Sequence, residues 1–161
     1  MLTTERSINQ FFRSTIHQLM KDIPADRINE RPPGDGHPPL WILGHLAICA
    51  EFGEAILGQQ MQHPEWVAIF GPGSSDNVAN PEAYSAEELI KVIDEAYPRL
   101  MDLIDKTPAD ALNADHSIEL LQGGALVSVA DVQAHLLTSH VAFHTAQLSS
   151  WRRAAGFGPL F

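Results

Sequence analysis

Along four stretches of the chain, apolar residues recur at intervals of three and four positions, the spacing of one face of an α-helix. The first stretch predicts a helix over residues 3–23 that ends at Pro24. The second predicts a helix that begins at Pro38 or Pro39 and ends near Gly58, since proline suits the first turn of a helix. Each helix therefore has an apolar face that must be buried against a partner.

A third helix is predicted to begin after Ser85, which together with Glu88 forms a capping-box sequence. The sequence Thr107-Pro108 predicts its end. Pro98 lies inside the helical pattern and predicts a kink or a break, because proline removes a backbone hydrogen bond and clashes with the preceding turn.

The last helix is predicted to run from Ser128 to near Gly156. The connections before and after the third helix are long, with a polar stretch over residues 71–81 and an irregular one over residues 109–127. Four long amphipathic helices predict an all-α four-helix bundle, formed as a single domain of residues 1–161. The long connections allow crossovers in place of simple hairpins.

The charge balance of the chain is acidic, with 10 Lys and Arg against 20 Asp and Glu and a formal net charge of −10. A protein that binds nucleic acid through bulk electrostatics needs Lys or Arg side chains for its phosphate contacts, so we expect no nucleic-acid partner. The same net charge disfavours adsorption to an anionic membrane.

The cysteine content and the apolar stretches bear on the compartment. Cys49 is the one cysteine of the sequence, so no intramolecular disulfide can form. Residues 1–6 provide no apolar signal-peptide core, and the most apolar stretch, residues 40–50, is too short to span a bilayer. We therefore expect a soluble, cytoplasmic protein without a membrane partner.

Histidine is the residue type with the most unusual pattern, with 8 in 161 residues. His140 and His144 are four positions apart on the last predicted helix, so both project from one face. This spacing lets two imidazoles bind one metal ion, as in helical zinc sites, and Gln147 lies on the same stripe. The pair alone is equally consistent with two hydrogen-bonded histidines at a helix interface.

His45 adds a third imidazole, because it lies in the most apolar face of the second helix, between Trp41 and Cys49. A core histidine on one helix and a histidine pair on another is how helix bundles build metal sites. Three neutral imidazoles would leave a coordination position open, which is the catalytic type of site. Such a donor set suits zinc, nickel, copper or iron.

The remaining histidines and the cysteine fit such a site less directly. His135 is nine positions before His144 and is predicted to face away from the pair. Cys49 follows His45 by one helical turn, so it either lines the site, adds a ligand or is a small buried side chain. Solvent exposure is expected for the other four histidines, which are His17, His37, His63 and His116.

The segment Trp41-Ile42-Leu43-Gly44-His45-Leu46, followed by His140-x-x-x-His144-x-x-Gln147, resembles the DinB-like superfamily, which includes the YfiT-type metal-dependent proteins. The resemblance covers nearly the whole chain. It implies a four-helix bundle with crossovers, a divalent metal (zinc or nickel) held by His45, His140 and His144, and a homodimer.

Characterised members of the family include transferases that activate a low-molecular-weight thiol, such as bacillithiol or mycothiol, and a thiol-dependent isomerase. The chain departs from many relatives after the second histidine of the pair, because Thr145-Ala146 stands where they have Arg-Gly. The missing arginine bears on recognition of a thiol or carboxylate and not on the metal ligands.

The resemblance favours a thiol S-transferase that acts on a small-molecule substrate, in which Gln147 orients a ligand or the substrate. A metal-dependent hydrolase that activates water is the second hypothesis. A metal-stabilised stress-response or binding module, with a closed site, is the third. The fourth is a helical domain whose histidines make ordinary hydrogen bonds.

Overall fold

A computed structural model describes residues 3–34 and 36–160. Within these residues the regular structure is helical, and an isolated bridge between Asp115 and Ser128 is the only β-type pairing. The α-helices are α1 (Thr3–Met20), α2 (Pro39–Ile56), α3 (Val67–Phe70), α4 (Ala86–Lys106), α5 (Ala109–Asn113), α6 (Val129–Leu137) and α7 (Ser139–Ala154).

The four long helical segments form a bundle in which α6 and α7 together make the fourth segment. Helix α1 packs against α4 and α7, and α2 packs against α4, α6 and α7. The connections from α1 to α2 and from α4 to α6 therefore cross the bundle, because each joins helices that mainly contact other partners. This arrangement confirms the predicted all-α four-helix bundle with long crossover connections.

Helix α2 is the central element of the core and is buried along most of its length. Its 18 residues are long and apolar enough to cross a membrane by length and composition, but 83% of them are buried inside the bundle. The apolar composition of α2 is that of a core helix, since it contacts other helices on several sides.

Helix α4 begins as predicted, with Ser85 Oγ accepting a hydrogen bond from the backbone N–H of Glu88 at 3.1 Å. It continues through Pro98 to Lys106, so of the predicted kink or break, the break does not occur. Buried side chains on both sides of Pro98, among them Tyr97, hold the helix in the core, and this packing offsets the lost backbone hydrogen bond.

The predicted last helix is in fact two helices, α6 and α7, which are separated at Thr138 (φ −125°, ψ −84°). Its start is confirmed, because Ser128 and Asp131 form a reciprocal capping box. At the break, the buried Asn9 of α1 donates its Nδ2–H to the carbonyl oxygen of Leu137 at 3.0 Å. Asn9 therefore satisfies a carbonyl that a continuous helix would have bonded internally.

Candidate metal centre

The three histidines singled out in the sequence meet at the interface of α2 and α7. The ring centroids lie 5.2 Å apart for His45 and His140, 4.7 Å for His45 and His144, and 4.6 Å for His140 and His144. His45 and His144 are buried, and His140 is partly buried. The bundle thus gathers three imidazoles in its interior from two helices far apart in the sequence.

Hydrogen bonds fix the orientation of two of these rings. His45 Nδ1 lies 2.7 Å from the carbonyl oxygen of Phe70, and His144 Nδ1 lies 2.7 Å from Gln147 Oε1. Both oxygens can only accept, so each Nδ1 carries the proton and each Nε2 keeps its lone pair. Partners of this kind orient metal-binding histidines and raise their basicity.

Cys49, and not His144, joins His45 and His140 in the group of described side chains whose ligand atoms lie close enough to hold one metal ion. Its Sγ lies 3.5 Å from His45 Nε2, and the ligand atoms of His45, Cys49 and His140 all lie within 4.8 Å of one another. This cluster fits a divalent metal ion. The Cys49 thiol thus lies beside the histidines, where it lines the site or adds a ligand, and is not merely a small buried side chain of the core.

The charge states of the cluster suit a cation. Burial, followed by the neighbouring His144 and His45, lowers the pKa of His140 to about 2. Burial and His45 lower the pKa of His144 to about 4, and burial also lowers the pKa of His45. The three rings are therefore neutral near pH 7, as metal ligands must be.

Two further observations bear on whether the site fits a metal ion. His140 Nδ1 is buried and has no hydrogen-bond partner within the described chain, which is costly for a polar atom unless something else binds it. Burial raises the pKa of the Cys49 thiol to about 12, so without a nearby cation it stays protonated. An unpaired buried nitrogen among neutral imidazoles fits a divalent transition-metal ion.

The segment after α3 positions two side chains of α2. The Trp41 ring stacks on His45 with centroids 4.6 Å apart, and its Nε1–H donates to Ser74 Oγ at 3.0 Å. Ser74 in turn donates to the carbonyl oxygen of Ile69 at 2.9 Å. Together with the Phe70 carbonyl, these contacts hold the His45 ring in place.

Gly44 explains part of the Trp-x-x-Gly-His-Leu motif. A Cβ atom at this position would overlap the ring of Phe70, so only glycine allows α3 to approach α2 this closely. The close approach is what brings the Phe70 carbonyl within hydrogen-bonding distance of His45.

The sequence profile of the DinB superfamily matches residues 10–148, which span α1 to most of α7 and include all three histidines. The chain belongs to the DinB superfamily. No curated protein matches the chain.

Two cavities flank the histidines of this DinB-superfamily chain. A cavity of about 500 Å³ reaches His140 and Cys49, and Phe52 and Leu120 are exposed in its lining. A second cavity of about 390 Å³ is lined by His37, Phe143 and Gln147, among others. The larger cavity thus reaches the cluster directly, whereas the smaller one reaches Gln147, which bonds to His144.

The prediction that His135 faces away from the pair was wrong. Its ring centroid lies 5.6 Å from that of His140, and it lines the larger cavity. The break at Thr138 is the physical reason, because it changes the angular relation that a continuous helix would impose on residues before and after it.

Three of the four histidines expected in solvent are instead buried or partly buried, and all four have hydrogen-bond partners. His116 is buried, donates its Nε2–H to the carbonyl oxygen of Leu126 and accepts from the backbone N–H of Ile118. The partly buried His63 bonds to the buried Glu51 at 2.6 Å. The partly buried His37 and the exposed His17 pair with Asp76 and Asp94, respectively. Apart from Ile118, these partners lie ten or more positions away, so local sequence did not reveal them.

Proposed function

We propose that this protein is a divalent-metal-dependent enzyme that transfers a low-molecular-weight thiol to an electrophilic small molecule. His45, His140 and His144 would hold the metal, with zinc or nickel as the ion. The observation that carries the proposal is the convergence of three neutral imidazoles, two buried and one partly buried, at the inner end of the larger cavity.

A bound divalent ion would supply Lewis acidity, which lowers the pKa of a thiol. In the reaction, the thiol loses its proton to solvent, its sulfur forms a bond to the electrophilic carbon, and the leaving group departs with its electron pair. His45 and His144 are held by Phe70 and Gln147 with their Nε2 lone pairs free. Since the Oε1 of Gln147 is engaged by His144, its amide N–H groups stay available to orient a ligand in the smaller cavity.

Thiol consumption tests this proposal. Protein loaded with zinc or nickel is incubated with bacillithiol, mycothiol or cysteine and with 1-chloro-2,4-dinitrobenzene, and free thiol is followed over time. We expect consumption above the protein-free rate with at least one thiol, loss of it on chelation, and recovery on adding metal. Absence of turnover with every thiol would contradict the proposal.

A second candidate, a metal-dependent hydrolase, is favoured by one specific observation. His37 Nδ1 donates to Asp76 Oδ2 at 2.9 Å, Arg31 also pairs with Asp76, and His37 lines the smaller cavity. A carboxylate that holds Nδ1–H leaves Nε2 as a proton acceptor, which is the arrangement of a general base. Turnover of ester probes without thiol, lost in His37→Gln, would establish this reaction.

The third candidate is a metal-stabilised binding module, which the position of Cys49 favours. With the thiol 3.5 Å from His45 Nε2, three histidines and one cysteine could close a four-coordinate site. A closed site would hold metal without an exchangeable position and would show no turnover in either assay.

A further inference from the structure

The larger cavity beside the histidine cluster is formed by five parts of the chain. Helices α2, α6 and α7, the loop after α3 and the 3₁₀ turn Glu119–Leu121 contribute its walls. At its inner end lie Cys49 and His140, and Phe52 and Leu120 are exposed, at 40% and 76%. Its volume of about 500 Å³ is in the range of small-molecule sites.

Most of the lining of this cavity is apolar. The apolar side chains come from both helices and from the turn, namely Phe52, Pro72, Ile118, Leu120, Leu121, Val132 and Leu136. Glu119 is the one charged group among the described lining residues, and no Lys or Arg is among them.

This lining discriminates by charge. Along the walls away from His140, where no Lys or Arg is present, an anion would lose its hydration without gaining a cationic partner, which costs free energy. It would also meet Glu119 and a chain of net charge −10. A neutral apolar molecule incurs neither cost and gains from the burial of its apolar surface.

We propose that this cavity binds a neutral, largely apolar small molecule, which presents its reactive carbon at the His140 and Cys49 end. We assign this molecule the role of the electrophilic co-substrate, and this assignment rests on the proposed thiol transfer. The polar thiol would then occupy the smaller cavity, which offers His37, Gln147 and Ser150.

Two fluorescent probes with the same hydrocarbon skeleton test the charge preference. N-phenyl-1-naphthylamine is neutral, and 8-anilinonaphthalene-1-sulfonate adds a sulfonate to the same skeleton. In fluorescence titrations of the folded protein, we expect the neutral probe to bind at least about tenfold more tightly, because the cavity walls offer the sulfonate no Lys or Arg partner. Equal or tighter binding of the sulfonated probe would overturn the proposal.

A pair of matched substitutions locates the probe. Leu120→Glu adds a second carboxylate to the lining at a side chain that is 76% exposed, and Val127→Glu makes the same change outside the lining at one that is 58% exposed. We expect Leu120→Glu to weaken binding of the neutral probe at least about tenfold, and Val127→Glu to change it by no more than about twofold. Equal effects of the two variants would contradict the proposed site.

The same titration on metal-free protein and on His144→Ala separates this inference from the proposed function. His144 does not line the cavity, so we expect the neutral probe to bind in both cases even if no thiol turnover is found. Light scattering tests the alternative that a second copy of the chain, and not a small molecule, occupies this face. If wild type is a dimer that excludes the probe and Leu120→Glu is a monomer, the face is a subunit interface and the proposal fails.

Discussion

Gln147 is the residue whose role in the cluster can be tested most cleanly. Its Oε1 accepts from His144 Nδ1 at 2.7 Å and so fixes the ring tautomer that leaves Nε2 free. Removing such a partner of a metal-binding histidine typically costs about 10- to 100-fold in metal affinity.

We therefore expect Gln147→Ala to weaken zinc binding by about 10- to 100-fold, measured by competition with a chromophoric chelator. Ser150→Ala is the matched control, because Ser150 lines the same cavity on the same helix and is exposed. Equal zinc affinity in Gln147→Ala and Ser150→Ala would show that Gln147 does not support the site.

Substitution of Cys49 distinguishes an open metal site from a closed, four-coordinate one. If the three histidines hold the metal, we expect Cys49→Ala to keep about one metal ion per chain, because the removed thiol is not a required ligand. Metal content by elemental analysis checks this. Loss of the metal in Cys49→Ala would instead favour the closed four-coordinate site of a binding module, since Cys49 Sγ lies beside His45 Nε2.

At the scale of the elements, the close approach of α3 to α2 determines how His45 is presented. Gly44→Ala would place a methyl group in the ring of Phe70 and push α3 away, so the Phe70 carbonyl would withdraw from His45 Nδ1. We expect a loss of about 1–3 kcal/mol in the free energy of unfolding, together with weaker metal binding.

Gly53→Ala is the matched control for this substitution. It lies on the same helix, and its added methyl group would overlap Leu100, which takes no part in holding the histidines. Urea unfolding should show a loss of stability in both variants, whereas zinc titration should show weaker binding in Gly44→Ala alone. Unchanged zinc affinity in Gly44→Ala would contradict the role given to the Phe70 carbonyl.

Local sequence predicted those elements that local chemistry determines. Ser85 and Ser128 cap the helices that they were predicted to cap, and the proline pair begins α2. The spacing of His140 and His144 and the apolar setting of His45 identified residues that the fold brings together.

The features that were missed depend on distant residues. The break at Thr138 is supported by Asn9, which is 128 positions away from the Leu137 carbonyl that it binds. The position of the His135 ring beside His140, which the sequence did not predict, follows from that break. The spacing of apolar residues within one helix does not predict this break, because the break depends on the packing of α1 against α6 and α7.

For the molecule as a whole, the buried histidines make stability depend on pH. The pKa of His140 is lowered to about 2 and that of His144 to about 4, against about 6.5 for an unfolded histidine. The unfolded chain therefore binds more protons, so this part of the stability is present above about pH 6.5 and is lost as the pH falls toward the folded values.

We expect the metal-free protein to lose about 1.4 kcal/mol of unfolding free energy per pH unit for each of these histidines between about pH 6 and 4.5. Urea unfolding at a series of pH values measures this slope. His140→Gln removes one of the groups and should make the slope shallower. An identical slope in the variant would show that His140 does not contribute.

The metal content of the purified protein tests the central claim most directly. Protein prepared without a histidine tag is analysed by elemental mass spectrometry beside His45→Ala and His144→Ala, with His17→Ala at an exposed position as the control. We expect about one metal ion per chain in wild type and in His17→Ala, and loss of it in the other two variants. A wild-type protein that carries no metal, and takes up none when zinc or nickel is added, would contradict a metal site at the three histidines.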